Sequence, residues 1–194
     1  MNRNDALLHA LLTRASVHPR LVSAPAPSEA DLNQIFRAAM AAPDHGSLRP
    51  WRFLIIEGEG LHRLGQLFAE SHRQSDPSAS EEVLHTTAAK ALRAPMIIAV
   101  YAHLQDDPKV PHVEQYVSCG CAMHQMTLAA SALGYGSTIL SGPMMHSDVV
   151  HEGLGLSAND ELMGLIYIGT PKPDAVREKP RPEPAEFVRR WPPV

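Results

Sequence analysis

Two cysteines in 194 residues, Cys119 and Cys121, cannot build a disulfide framework, and nothing in the chain points to an oxidising compartment. The charge carries no basic excess: 17 Lys and Arg against 21 Asp and Glu give a net charge of -4, which excludes a broadly basic nucleic-acid surface. No apolar run approaches the length needed to span a bilayer. The first residues, Met-Asn-Arg-Asn-Asp, lead into a short run broken by His9, Thr13 and Arg14, which does not read as a signal peptide, so a cytoplasmic protein without membrane or nucleic-acid partners is expected. Several chemical signatures are missing. No G-x-G-x-x-G follows a strand pattern, no G-x-x-x-x-G-K-[ST] occurs, and no serine lies in G-x-S-x-G. His151-Glu152 opens like a zinc-protease motif, but Gly155 stands where the second histidine belongs, and no metal site is expected.

What is present is ordinary globular composition, 44% hydrophobic and 20% charged, with enough chain for one domain over residues 1–194. Histidine (11) and proline (17) are frequent, and the prolines concentrate after residue 170.

Apolar spacing lays out the elements. A first helix carries Leu7, Leu8, Leu11 and Leu12 on one face and ends near Arg14; prolines 19, 25 and 27 keep the chain irregular after it. Ser28 and Asp31 form a capping pair, and the helix behind them stripes Leu32, Ile35, Phe36, Ala39 and Met40 before Pro43. Strands are expected at 51–56, 96–101, 137–140 and 161–168, the second buried on both faces. Helices are expected at 61–73, 81–92, 113–133 and 147–154. The 113–133 helix is nearly uncharged after Glu114, so it belongs in a core or an interface. Residues 170–194 form an extended proline-rich arm without a core of their own. Helices interspersed with short strands give an α+β fold.

Three stretches concentrate candidate binding groups. Arg14-Ala15-Ser16 puts a guanidinium and a hydroxyl at a helix exit, a pairing suited to a phosphomonoester. Residues 42–51 pack Asp44, His45, Ser47 and Arg49 into one loop between two rigid elements, with Trp51 read as core. The third runs from the end of the long helix through Gly134-Tyr135-Gly136 to Ser141-Gly142.

Together, in this order, these stretches and the terminal IYIGTPKP (166–173) resemble the nitroreductase family of flavoproteins, most closely its compact branch. The resemblance implies a three-layer fold with a central mixed or antiparallel sheet flanked by helices. It also implies a homodimer with FMN at the subunit interface and a C-terminal arm reaching the partner. Arg14, Ala15 and Ser16 match phosphate-contacting positions. His45, Ile139, Leu140 and Ser141 match flavin-contacting positions, and 129–134 match a segment assigned to the nicotinamide. Lys179 or Arg181 matches a late basic residue. Ala15, Ala41 and Leu140 stand where relatives carry arginine, so FMN is expected to be released readily. The activity implied is ping-pong transfer from NAD(P)H to a nitroaromatic or quinone, with no side-chain acid or base. A flavin carrier or regulatory binder without turnover is the rival.

Overall fold

A computed structural model describes residues 3–176 and 180–191. Its helices are α1 (Arg3–Thr13), α2 (Glu29–Met40), α3 (Glu59–Ser75), α4 (Glu81–Ala88), α5 (His112–Ala132) and α6 (Asp148–Gly153). Its strands are β1 (Val22–Ser23), β2 (Trp51–Glu57), β3 (Met96–His103), β4 (Gly136–Leu140) and β5 (Asp160–Pro171).

The continuous apolar run of β3 dictates its place. Residues 96–100 are all at most 2% exposed, so the strand must be covered on both faces. It lies between β2 and β5, antiparallel to each. On the far side of β5, β4 pairs with residues 165–169, and β1 pairs with Thr170 and Pro171. Among the described residues every pairing is antiparallel, which resolves the mixed-or-antiparallel alternative for them.

Side-chain alternation then sorts the core into two layers. Met96, Ile98, Val100 and Ala102 pack with Leu32, Ile35 and Ala39 of α2 and Cys119, Met123 and Met126 of α5. Ile97 and Ala99 point the other way, onto Leu64 and Phe68 of α3 and Val150 of α6. The register against β3 steps from Gly164 to Leu162, leaving Met163 as an extra residue. That bulge moves Leu162 onto the α3 side, although it shares parity with Ile166 and Ile168 on the α2 side.

Ser28 Oγ accepts from the Asp31 N–H at 3.2 Å and so caps α2. The shorter Asp31 carboxylate does not complete the box on the Ser28 N–H. It accepts from the Ser28 hydroxyl at 2.7 Å and from Tyr135 Oη at 2.8 Å, which ties α2 to the Gly134-Tyr135-Gly136 turn. Met40, the last residue of the predicted stripe, is 52% exposed. The helix expected over 81–92 ends at Ala88, and a 3-10 turn, Ala91–Arg93, follows it. The end of α4 packs tightly on α3. Gly65 of α3 lies so close to Ala88 that a Cβ would sit 2.7 Å from the Ala88 carbonyl oxygen. Pro95 then demands an extended Ala94, whose φ of -139° and ψ of 157° turn the chain into β3.

Some apolar surface finds no cover within the chain. Leu7, Leu8, Leu11 and Leu12 of α1 are 46–65% exposed, as are Val113 and Val117 of α5 at 62% each. The arm shows the same character, with Phe187, Val188 and Trp191 at 72, 68 and 91%. Among the described residues no helix is long and apolar enough to cross a membrane.

Candidate functional site

Strand β4 organises the site. At its start, the Val17 N–H donates to the Ser137 carbonyl at 3.0 Å and docks the Arg14-Ala15-Ser16 segment beside the strand. Gly136 makes this approach possible, since a Cβ there would meet Val22 at 2.9 Å and Val17 at 3.2 Å. The C-terminal arm returns to the same place: Arg181 Nη2 donates to the Arg14 carbonyl at 2.7 Å. Lys172 Nζ donates to the Arg20 carbonyl at 2.9 Å. Arg181 and Lys172 thus reach the backbone of Arg14 and Arg20 near the start of β4, and Ser16, two residues from Arg14, is exposed. Lys179 lies outside the described residues.

At the other end, Ile139 and Leu140 are exposed to 40 and 37% at the sheet margin, and Ser141 and Gly142 follow. Leu140, Ser141 and Gly142 line a cleft of about 180 Å³ with Phe68, Met144, Tyr167, Lys90 and Arg93. Its wall is largely apolar, and its two charged groups are both cations. Burial pushes the Tyr167 phenol up to about 12, so it stays neutral there. A second cavity of about 470 Å³ shares Lys90 and Met144 and is lined mainly by polar groups, Ser71, His72 and Thr87 among them. A strand rises about 3.3 Å per residue, so Ser137 and Ser141 stand roughly 13 Å apart.

The His45 loop lies elsewhere. It is held by the Asp44 carboxylate, which accepts from the Arg49 N–H at 2.8 Å, and by Gln105, whose carboxamide donates to the Leu48 carbonyl at 2.8 Å. Gly46, Ser47 and Arg49 have φ of 71, 56 and 50°. Left-handed backbone at two non-glycine residues costs about 1–3 kcal/mol each, and such conformations cluster at ligand sites. His45 Nδ1 meets Glu114 Oε2 in the first turn of α5.

The β ladder fixes how these parts relate. The row Ser137–Ile168–Met96–Glu57 crosses one end of the sheet, whereas Trp51, Ala102 and Glu161 align at the other. His45 precedes β2, which lies three strand spacings, about 14 Å, from β4. It sits at the N-terminus of α5, and the Arg14 segment sits where that 21-residue helix returns to β4. At 1.5 Å per residue the helix separates them by about 30 Å. One chain therefore brings Arg14, Ala15, Ser16 and Arg181 together at one end of β4, and Ile139, Leu140 and Ser141 at the other, but leaves His45 apart from both. Of residues 129–134, Ala130 is core at 1% exposure, while Ser131, Ala132 and Gly134 face outward.

Sequence reasoning missed Lys90 and Arg93. They sit in a helical stretch where charges ordinarily face solvent, and the one available signal was a pair of cations three apart just before a strand whose first five residues are buried. It missed Glu114 as a partner of His45, although this is the one carboxylate of α5. Among the described residues no three His, Cys, Asp or Glu side chains group as a metal ion would need.

Residues 11–170 match the Nitroreductase family. The Escherichia coli protein named "Putative NAD(P)H nitroreductase YdjA" is 38% identical over 164 residues, covering 84% of this chain and 88% of that protein. A crystal structure of a nitroreductase-like family protein from Bacillus cereus superposes with a TM-score of 0.81 at 24% identity, covering 97% of each chain. The FMN-dependent nitroreductase NfnB of Mycobacterium smegmatis, solved with NADPH, gives 0.75 at 19% identity, covering 97% of this chain and 99% of its own. A match over most of the chain, agreeing with the three-layer architecture, makes this protein a member of the nitroreductase family of oxidoreductases.

Proposed function

We propose that the chain binds FMN along β4 and works as an NAD(P)H-dependent reductase of electron-poor acceptors such as nitroaromatics or quinones. The observation that carries this reading is the placement of cations by the buried start of β4 and, about 13 Å along the strand, of its exposed residues Ile139 and Leu140 beside a largely apolar cleft that Lys90 and Arg93 also line. That separation suits a flat ring joined to a phosphate by a five-carbon chain. Arg14, Ser16 and Arg181, with the Ala15 backbone, would hold the phosphate through charge-assisted hydrogen bonds. Ile139, Leu140 and Ser141 would carry the ring, and the Tyr167 side of the cleft would exclude water from one face. Lys90 and Arg93 would stabilise the negative charge that builds up during reduction. FMN, when bound, supplies the hydride acceptor and donor of a ping-pong cycle. No side-chain acid or base is assigned to the hydride step.

A homodimer is part of the same reading. The outward face of α5 carries Val113, Val117 and Gly120, and α1 and the arm expose further apolar residues. Antiparallel packing of α5 against its copy would carry the partner's His45 across the 30 Å that separates it from the Arg14 segment within one chain. The likeness to NfnB of Mycobacterium smegmatis, an FMN-dependent nitroreductase solved with NADPH, supports both cofactors.

Titration of apoprotein separates the parts of this reading. Arg14→Ala is expected to weaken FMN binding about tenfold to a hundredfold, from the loss of one charge-assisted bond. Riboflavin, which lacks the phosphate, should bind both proteins alike. Equal losses for the two ligands would remove the phosphate from this end of β4. NAD(P)H oxidation that requires a nitro or quinone acceptor supports the enzyme; its absence at saturating FMN would leave a flavin carrier.

A further inference from the structure

The loop that carries His45 and the first turn of α5 are connected twice. Glu114 Oε2 meets His45 Nδ1 directly. Its neighbour Gln115, 1% exposed, acts through the loop on the other side. Gln115 Oε1 accepts from the Gln105 N–H at 3.0 Å, and its amide donates to the Gln105 carbonyl at 2.8 Å and the Val110 carbonyl at 3.2 Å. Gln105 in turn donates to the Leu48 carbonyl. One helical turn therefore fixes both the backbone that carries the imidazole and one nitrogen of the ring. The left-handed φ values at Gly46, Ser47 and Arg49 show that this loop is held in a conformation its residues would not choose alone.

We propose that Glu114 is a positioning residue that sets the hydrogen-bonding character His45 presents to the flavin. An ionised carboxylate only accepts, so the neutral imidazole facing it must carry its hydrogen on Nδ1. Nε2 is then a lone-pair acceptor, matched to a ring N–H of the flavin. A free imidazole favours the other tautomer, with hydrogen on Nε2, and would present a donor. This inference rests on the FMN reading above for what His45 faces, and on the Glu114 contact alone for how His45 is set.

Long-range proton–nitrogen NMR of the 15N-labelled full chain, at a pH where imidazoles are neutral, tests the second part without any flavin. The wild type is expected to show His45 with its hydrogen on Nδ1, and Glu114→Ala to show it on Nε2. FMN titration of the same proteins tests the first part. Glu114→Ala and His45→Ala are each expected to weaken binding about threefold to tenfold, the worth of one neutral hydrogen bond. The double variant should be no weaker than His45→Ala. Glu114→Asp, which keeps an acceptor, should recover part of the loss and the Nδ1 signature. A wild-type ring already mixed or on Nε2 overturns the proposal at the Glu114 step. A ring set as expected with FMN affinity indifferent to His45→Ala overturns it at the flavin step, and so identifies the placement of His45 as the error.

Discussion

Asp160 stands at a corner where three segments meet, and its surroundings push in opposite directions. It is 8% exposed, and burial alone would raise its pKa. The Ser157 hydroxyl and N–H donate to Oδ2 at 2.6 and 2.8 Å, His103 Nδ1 meets Oδ1 at 2.7 Å, and the net shift is downward. His151 Nε2 donates to the Asp160 carbonyl at 2.7 Å, which binds α6 to the same corner. A carboxylate depressed in the folded state stabilises fully above its unfolded pKa, near 3.9, and loses that contribution as pH falls through the folded value. Asp160→Asn is therefore expected to cost about 1–3 kcal/mol at neutral pH. The gap to the wild type should narrow when both are unfolded by urea near pH 3. A gap unchanged between these conditions would remove the charge from the account. None of this was legible in the sequence, because Ser157, His103 and His151 are joined to Asp160 only by the fold. Ser28 and Asp31, three apart on one turn, were legible, as was Trp51 as a core residue. Residues adjacent along the chain announce their interactions, and residues adjacent across it do not.

At the scale of elements, periodicity located four of the five strands and most helices because burial within one chain enforces it; the two-residue β1, in a segment read as irregular, is too short to show a period. Periodicity located two further helices, α1 and α5, without showing that this chain leaves apolar faces of theirs open. The α1 leucines are spaced for packing yet stay exposed, and α5, read as a core or interface helix, is core along one face, where Cys119 and Ala122 are fully buried, while Val113 and Val117 face outward on the other. Gly120 sits on that outward face, and a Cβ there would meet nothing. An exposed mid-helix glycine costs about 1 kcal/mol relative to alanine, and nothing among the described residues offsets it. Close approach of a second α5 would explain the missing side chain. Gly120→Leu is expected to lower the mass measured by light scattering from dimer to monomer, and to lower the melting temperature. An unchanged mass with a raised melting temperature, as helix propensity alone predicts, would place the interface elsewhere.

Across the whole molecule, the motifs that carried the family resemblance fall into two groups at opposite ends of α5, and sequence order gave no hint of that separation. The proposed site is completed only by a two-fold pairing in which Arg14 comes from one chain and His45 from its partner. This arrangement makes a prediction that no single-chain site shares. Arg14→Ala and His45→Ala homodimers each carry a defect in both sites. A mixed dimer of the two variants gathers both defects into one site and leaves the other intact. Mixing the purified variants under conditions of subunit exchange, then isolating the mixed dimer by two different affinity tags, should therefore restore wild-type FMN affinity at half the wild-type stoichiometry. If both residues instead served a site within one chain, every site in the mixed dimer would keep one defect, and no tight-binding fraction would appear at any ratio.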